Sequence, residues 1–344
     1  EKIVSDQTNT MDGRYIPTVV PMSKELTSTK VQGLVHVETP KFEGKDGAVT
    51  PSSEKPMVLV DPKTGKALGA SALAMKDGKE VGTYTVDEAT GKVTFTPNKD
   101  FTGIADPIVV QVIEKATGKA IAGLKYTPTV TPVTPTGEDV TSTGKQGKVQ
   151  TGTPKFTEGD AEVPLKVNAD QPAKFVVNGT AVEDTTIDAM KDGAKVGTYT
   201  INPLTGEVTF TPNKDFVGTP DAVTVQVKDE NGTTATAKYT PTVTPVTPTG
   251  EDVTSTGKQG KVQTGIPKFT EGDVEVPLKV DSDQPAKFVV NGTAVDDTTI
   301  DATKDGAKVG TYTLDSLTGE VTFTPNKDFV GTPDAVTVQV KDEN

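Results

Sequence analysis

Hydrophobic residues along this chain alternate with polar ones over short stretches instead of recurring at helical spacing. Tyr199, Ile201, Val208 and Phe210 fall on one face of two consecutive segments. Val223, Val225 and Val227 alternate with Thr224 and Gln226, and after a turn Ala235, Ala237 and Tyr239 alternate with Thr234, Thr236 and Lys238. The breaks between these runs carry turn chemistry. Asn178-Gly179 separates Phe175-Val176-Val177 from Thr180-Ala181-Val182, and Asn-Gly between β-formers predicts a hairpin because both turn residues must take positive φ. Asp192-Gly193, Asn202–Gly206 and Asp229–Gly232 mark further turns, and Asp61–Gly65 does the same between Val58-Leu59-Val60 and Lys66-Ala67-Leu68. Strands this short, with turns this closely spaced and no helical period, predict an all-β fold, a β-sandwich or a small open barrel.

The pattern repeats. Residues 131–231 and 244–344 superpose without a gap and differ at nine positions, among them Thr153/Ile266 and Met190/Thr303. A more distant copy lies upstream, marked by Glu38–Phe42, Val81–Thr85 and Val93–Phe101. Residues 1–15 align with 225–239. The organisation expected is therefore the tail of a preceding repeat at 1–21, a diverged module at 22–130, a module at 131–243, and a module at 244–344 that stops before its last strand. The strand at 8–19 then has no partner in its own module while the last module has a free sheet edge, so head-to-tail strand donation between chains is a further expectation.

Between modules the chain reads Thr-Pro-Thr-Val-Thr-Pro-Val-Thr-Pro, at 127–135 and again at 240–248. Proline removes ladder donors and fixes φ, which predicts at most an edge strand passing into a semi-rigid extended connector. Gly137–Gly147 lacks hydrophobic periodicity and is expected to be irregular extended chain packed along its neighbours or a mobile loop. The picture is one of tandem β-sandwich-like modules joined end to end by Pro/Thr-rich extended connectors.

Composition removes most chemistries. The 344 residues hold no cysteine and no tryptophan, one histidine (His36) and one arginine (Arg14), so thiol chemistry, disulfides and bidentate phosphate recognition have almost nothing to work with. The net charge of −13 argues against binding nucleic acid, and no apolar run approaches the roughly 20 residues of a membrane span. A hydrophobic content of 33% predicts thin cores. No catalytic residue, no cofactor-binding residue and no metal ligand is assigned, no cofactor is expected, and the chain is read as not an enzyme.

Pro135-Thr136-Gly137, Thr141-Ser142-Thr143-Gly144, Gln150-Thr151-Gly152-Thr153-Pro154, Gly197-Thr198-Tyr199, Val208-Thr209-Phe210-Thr211-Pro212 and Tyr239-Thr240-Pro241-Thr242-Val243 recur in a fixed order. Together they resemble the CshA-type fibril repeats of streptococcal wall-anchored fibrillar surface adhesins, over essentially the whole chain, with the first module departing most between Lys45 and Lys76. That resemblance implies a long extracellular repeat region, anchored to the cell wall by sortase in the parent protein, that projects a non-repeat adhesive tip.

Several local features invite sharper readings. Asn178-Gly179-Thr180, Asn231-Gly232-Thr233 and Asn291-Gly292-Thr293 fit the glycosylation pattern, but hairpin geometry explains Asn-Gly fully. Asp229-Glu230-Asn231 and Glu158-Gly159-Asp160 offer oxygen ligands, yet neither has calcium-loop spacing and both read as solvated turns. His36, flanked by Val35 and Val37, reads as structural. A Lys–Asn cross-link would need a buried amine, and Lys174 and Lys238 lie near Asn178 and Asp229, with Lys238 pointing outward. Two functions stay open. In one the modules are a spacer, each about 40 Å long at about 3.3 Å per strand residue, carrying a tip well over ~100 Å outward. In the other the repeats themselves bind host proteins or glycans, or mediate cell–cell adhesion in a biofilm. The partners expected are neighbouring repeat modules and, through the full-length protein, host-surface or bacterial-surface receptors.

Overall fold

A computed structural model describes residues 13–15, 17, 19–88 and 90–344. Among the described residues there is no helix, and the chain is a succession of short strands in small sheets. It divides into two compact units. One holds the described residues up to Thr136 together with Phe156–Lys166 and Val227–Ala235, and the other holds Gly137–Lys155, Val167–Gln226 and Thr236–Asn344.

In the first unit two sheets face each other. One has the order Leu26–Val31, Ala120–Thr131, Ile108–Ile113, Met57–Val60, Ala67–Gly69, with Gly103–Ile104 also on the long second strand. The other runs His36–Glu38, Lys92–Pro97, Lys79–Asp87, Ser71–Lys76. Alternation decides what lies between them. Met57, Leu59, Val110 and Val112 point inward from the first sheet and meet Tyr84, Val93 and Phe95 from the second, all fully buried or nearly so. The Tyr84 and Tyr126 rings close the gap edge to face at 5.9 Å. Burying each such side chain contributes about 2 kcal/mol, so even a thin layer suffices. This is a β-sandwich.

The connector expectation needs correction. Pro128 sits inside the twelve-residue strand Ala120–Thr131, which has a parallel neighbour on one side, in register Leu26↔Tyr126 through Val31↔Thr131, and antiparallel neighbours on the other. The N and O of a strand residue point to the same side. Pro128 O accepts the Ala105 N–H at 3.2 Å, so the missing donor faces away from Leu26–Val31 and that ladder loses nothing. Only beyond Thr131 does the chain leave the sheet, and there Val133 is buried.

In the second unit the same logic recurs. The segment expected to be irregular or mobile contains a strand, Val140–Lys145, parallel to Tyr239–Thr244. Of its inward positions, Val140, Ser142 and Gly144, only the first is apolar, which is why no apolar period marked it. Ser142 Oγ bonds the Tyr239 hydroxyl and donates to Gln150 Oε1, each at 2.6 Å. The facing sheet runs Gln150–Gly152, Val208–Pro212, Ala194–Ile201, Thr186–Lys191, and its copy runs Gln263–Gly265, Val321–Pro325, Ala307–Leu314, Thr299–Lys304. The hairpin expected at Asn178-Gly179 is present, with φ of 51° and 78°. In the last copy residues 253–258 form no strand, and Tyr312 is 9% exposed where Tyr199 is 2%. The expected strand at 8–19 falls largely outside the described residues.

Candidate functional site

His36 is the one candidate for acid–base chemistry, and the fold seals it. Its strand pairs it with Phe95, whose ring lies 5.3 Å away at a steep angle, and it has no exposure. His36 Nδ1 and Ser28 Oγ are 2.6 Å apart, and Ser28 Oγ lies 2.7 Å from the Tyr126 hydroxyl. His36 Nε2 is buried with no partner among the described residues. Burial first, and the Lys30 charge second, pull its pKa down to about 4, while burial pushes Tyr126 up to about 12. A serine bonded to a histidine can be a nucleophile and base, but no substrate reaches this pair. Gln150 takes the same place beside Ser142 and Tyr239 in the second copy, and Gln263 beside Ser255 in the third. The arrangement is a core brace.

The remaining candidates are brought together with ordinary partners. Lys174 Nζ engages the Glu183 carboxylate, and Lys287 Nζ lies 2.8 Å from Asp296 Oδ1 in the next copy. Lys238 is exposed, so neither lysine considered for a cross-link is a buried amine. Asp160 Oδ1 caps its own turn by accepting the Glu162 N–H at 2.9 Å. Among the described residues no three acidic, histidine or cysteine side chains could hold a metal ion.

The Asp229 turn does more than the sequence showed. Asp229 Oδ1 accepts the N–H groups of Asn231 and Thr233, both at 2.9 Å, and so shapes the turn from inside. The Asn231 amide then donates to Gln32 O in the first repeat at 2.9 Å. The glycosylation reading at Asn231 therefore competes with a hydrogen bond, whereas Asn178 is exposed at its hairpin tip. The sequence signal was present, a Gln-Gly turn in each copy and an Asp-Glu-Asn turn in the second and third, but nothing in it paired the two.

Three consecutive stretches, 18–130, 132–243 and 245–344, match the family model for the surface adhesin CshA repetitive domain. The chain belongs to that family. Among curated proteins no sequence matches it. Solved structures similar to it include mouse cadherin-23 EC22-24, at 12% identity and TM-score 0.28 over 89% of this chain and 87% of that one. Sidekick-1 immunoglobulin domains 1-5 are similar at 10% identity and TM-score 0.28, over 89% and 74%. The tetra-tandem repeat in the extending region of a large adhesion protein is similar at 14% and 0.21, over 86% and 64%. At TM-scores this low these likenesses carry no argument. As CshA-type repeats, the three copies are an extracellular adhesin repeat region, and the family points to a structural protein and not an enzyme.

Proposed function

We propose that this CshA-type repeat region is the stalk of a fibrillar adhesin, anchored to the wall of a Gram-positive, streptococcal cell and holding an adhesive tip away from it. The observation that carries the reading is what the copies keep in common: core positions, turn residues and the braces at each connector. The connector is held rather than loose. Gln32 Oε1 accepts the Val133 N–H at 3.3 Å while its Nε2 donates to Lys99 O at 2.8 Å, and Gln146 repeats this with Val246 N–H at 3.3 Å and Lys214 O at 3.0 Å. A spacer needs such joints and needs no ligand pocket. The module boundaries at 22–130, 131–243 and 244–344 belong to the same proposal.

Small-angle scattering on the purified chain tests it. A maximum dimension above ~100 Å, with a rod-like pair-distance distribution, is expected from three sandwich lengths in series. A compact globule overturns the stalk. The second reading, that the repeats themselves bind host or bacterial surfaces, is separated by adding the purified repeats to parent cells: a spacer leaves adhesion intact, and potent inhibition favours binding.

A further inference from the structure

We infer that each Asp-Glu-Asn turn and the Gln-Gly turn of the preceding repeat form a matched docking pair that fixes one repeat to the next. The same contacts occur twice. Asn231 Nδ2 donates to Gln32 O at 2.9 Å, and Asn344 Nδ2 donates to Gln146 O at 3.0 Å. Beside them Lys99 Nζ donates to Glu230 O at 3.2 Å, and Lys214 Nζ donates to Glu343 O at 3.3 Å. In both turns the residue after the glutamine is a glycine at positive φ, 85° at Gly33 and 78° at Gly147, and a Cβ there would overlap the Oδ1 of the docked asparagine. Glycine is thus required twice over, for the backbone and for the partner.

Each half is preformed by its own repeat. On the donor side, Asp229 Oδ1 and Asp342 Oδ1 accept the N–H of Asn231 and Asn344 at 2.9 and 3.0 Å, aiming the amide. On the acceptor side, the glutamine Nε2 ties the turn to the lysine loop, and the third repeat has the same tie, Gln259 Nε2 to Lys327 O at 3.2 Å, with Gly260 at φ 71° and no amide of the described residues against it. Gln32 is buried and Gln146 half-buried, whereas Gln259 is exposed. The pair also sets an order. The first repeat has the acceptor, but its own turn, Glu114–Lys119, holds no asparagine and cannot act as donor.

Hydrogen exchange of the 344-residue chain, read by mass spectrometry, tests this. Asn231→Ala is expected to speed exchange three- to tenfold in peptides covering 30–36 and to leave 143–149 unchanged, and Asn344→Ala to do the reverse. Exchange unchanged within twofold at the partnered turn, or raised equally in both, overturns the docking pair. Because Asn231→Ala could loosen its own turn, glycine variants give a second measurement. Gly33→Ala and Gly260→Ala impose the same backbone strain, but only the first faces an amide, so only Gly33→Ala should speed exchange at 228–234. No change there overturns the pairing. The inference holds whether the array is a spacer or a binding surface, so its failure leaves the stalk reading standing.

Discussion

Acid should loosen the first repeat more than its neighbours, through His36. The unfolded side chain protonates near its ordinary value of 6.5 and the folded one only near 4. Between those values the unfolded chain holds more protons, so the contribution of a neutral His36 is fully present above about pH 6.5 and is lost as pH falls toward 4. The cost follows from the shift: about 2 kcal/mol near pH 5 and about 3 kcal/mol near pH 4, at 1.36 kcal/mol per pH unit. The geometry explains why the fold resists the proton. If Nδ1 donates to Ser28, protonation buries an Nε2–H with no acceptor among the described residues, and if Ser28 donates to Nδ1, protonation there forces that hydroxyl to turn and accept. Lys30, three-dimensionally near, adds repulsion. Against a domain stability of about 5–15 kcal/mol, that loss is large.

The chain has a single histidine, so its Hε1 ring proton gives one NMR signal and one titration curve. A midpoint near 4 is expected, with exchange in 26–38 rising between pH 6.5 and 4 beyond that of the matching segment 140–152. A midpoint near 6.5 refutes the reasoning. The control must respect the packing. Gln150 fits because Gly144 leaves room, since a Cβ on Gly144 would come within 2.7 to 2.9 Å of the Gln150 side chain. Lys30 stands where Gly144 does, paired with Val130 as Gly144 is with Val243. His36→Gln alone should therefore clash and destabilise at neutral pH, while Lys30→Gly with His36→Gln should fold and lose the excess acid sensitivity.

Three further outcomes can be checked by simple means. Tyr199→Phe removes the hydroxyl that donates to Asp221 O at 2.8 Å, a bond matched by Tyr84 and Tyr312, and should cost about 1 kcal/mol in urea unfolding. Gly310→Ala puts a methyl onto Thr324 O and within 2.9 Å of Pro325 Cα, so a loss of about 1–3 kcal/mol is expected, and an unchanged thermal midpoint would contradict the packing. Molar salt should speed exchange at 143–149 more than at 30–36. Lys145 pairs with Asp273 at 2.7 Å and Glu275 at 3.2 Å, bonds that raise its own pKa and lower that of Asp273, whereas its counterpart Val31 has no charge to screen.

What could be read from sequence here was whatever a residue decides with its immediate neighbours. Asn178-Gly179 had to turn, because positive φ is cheap only there, and Val223, Val225 and Val227 had to face one way. Pro128 was misread because proline's effect depends on which side of the strand its nitrogen faces, and that is fixed by ladder parity and not by composition. Val140–Lys145 was missed because, after Val140, its inward positions are a hydroxyl and a glycine, accommodated by Tyr239 and Gln150 about a hundred and about ten residues away. The docking turns make the point most sharply. Gln32, Gln146 and Gln259 sit in closely similar local sequence and adopt the same braced turn, yet among the described residues only the first two receive an asparagine. Identical local chemistry with different surroundings is invisible to any pattern in one copy. It becomes legible only when copies are set side by side in space, where the diverged repeat shows which residues change together: Lys30 with His36 in one repeat, Gly144 with Gln150 in the next. That coupling explains why a histidine can stand in the core of one module while its near-copies use glutamine, and it ties the acid response of the array to a steric choice at position 30.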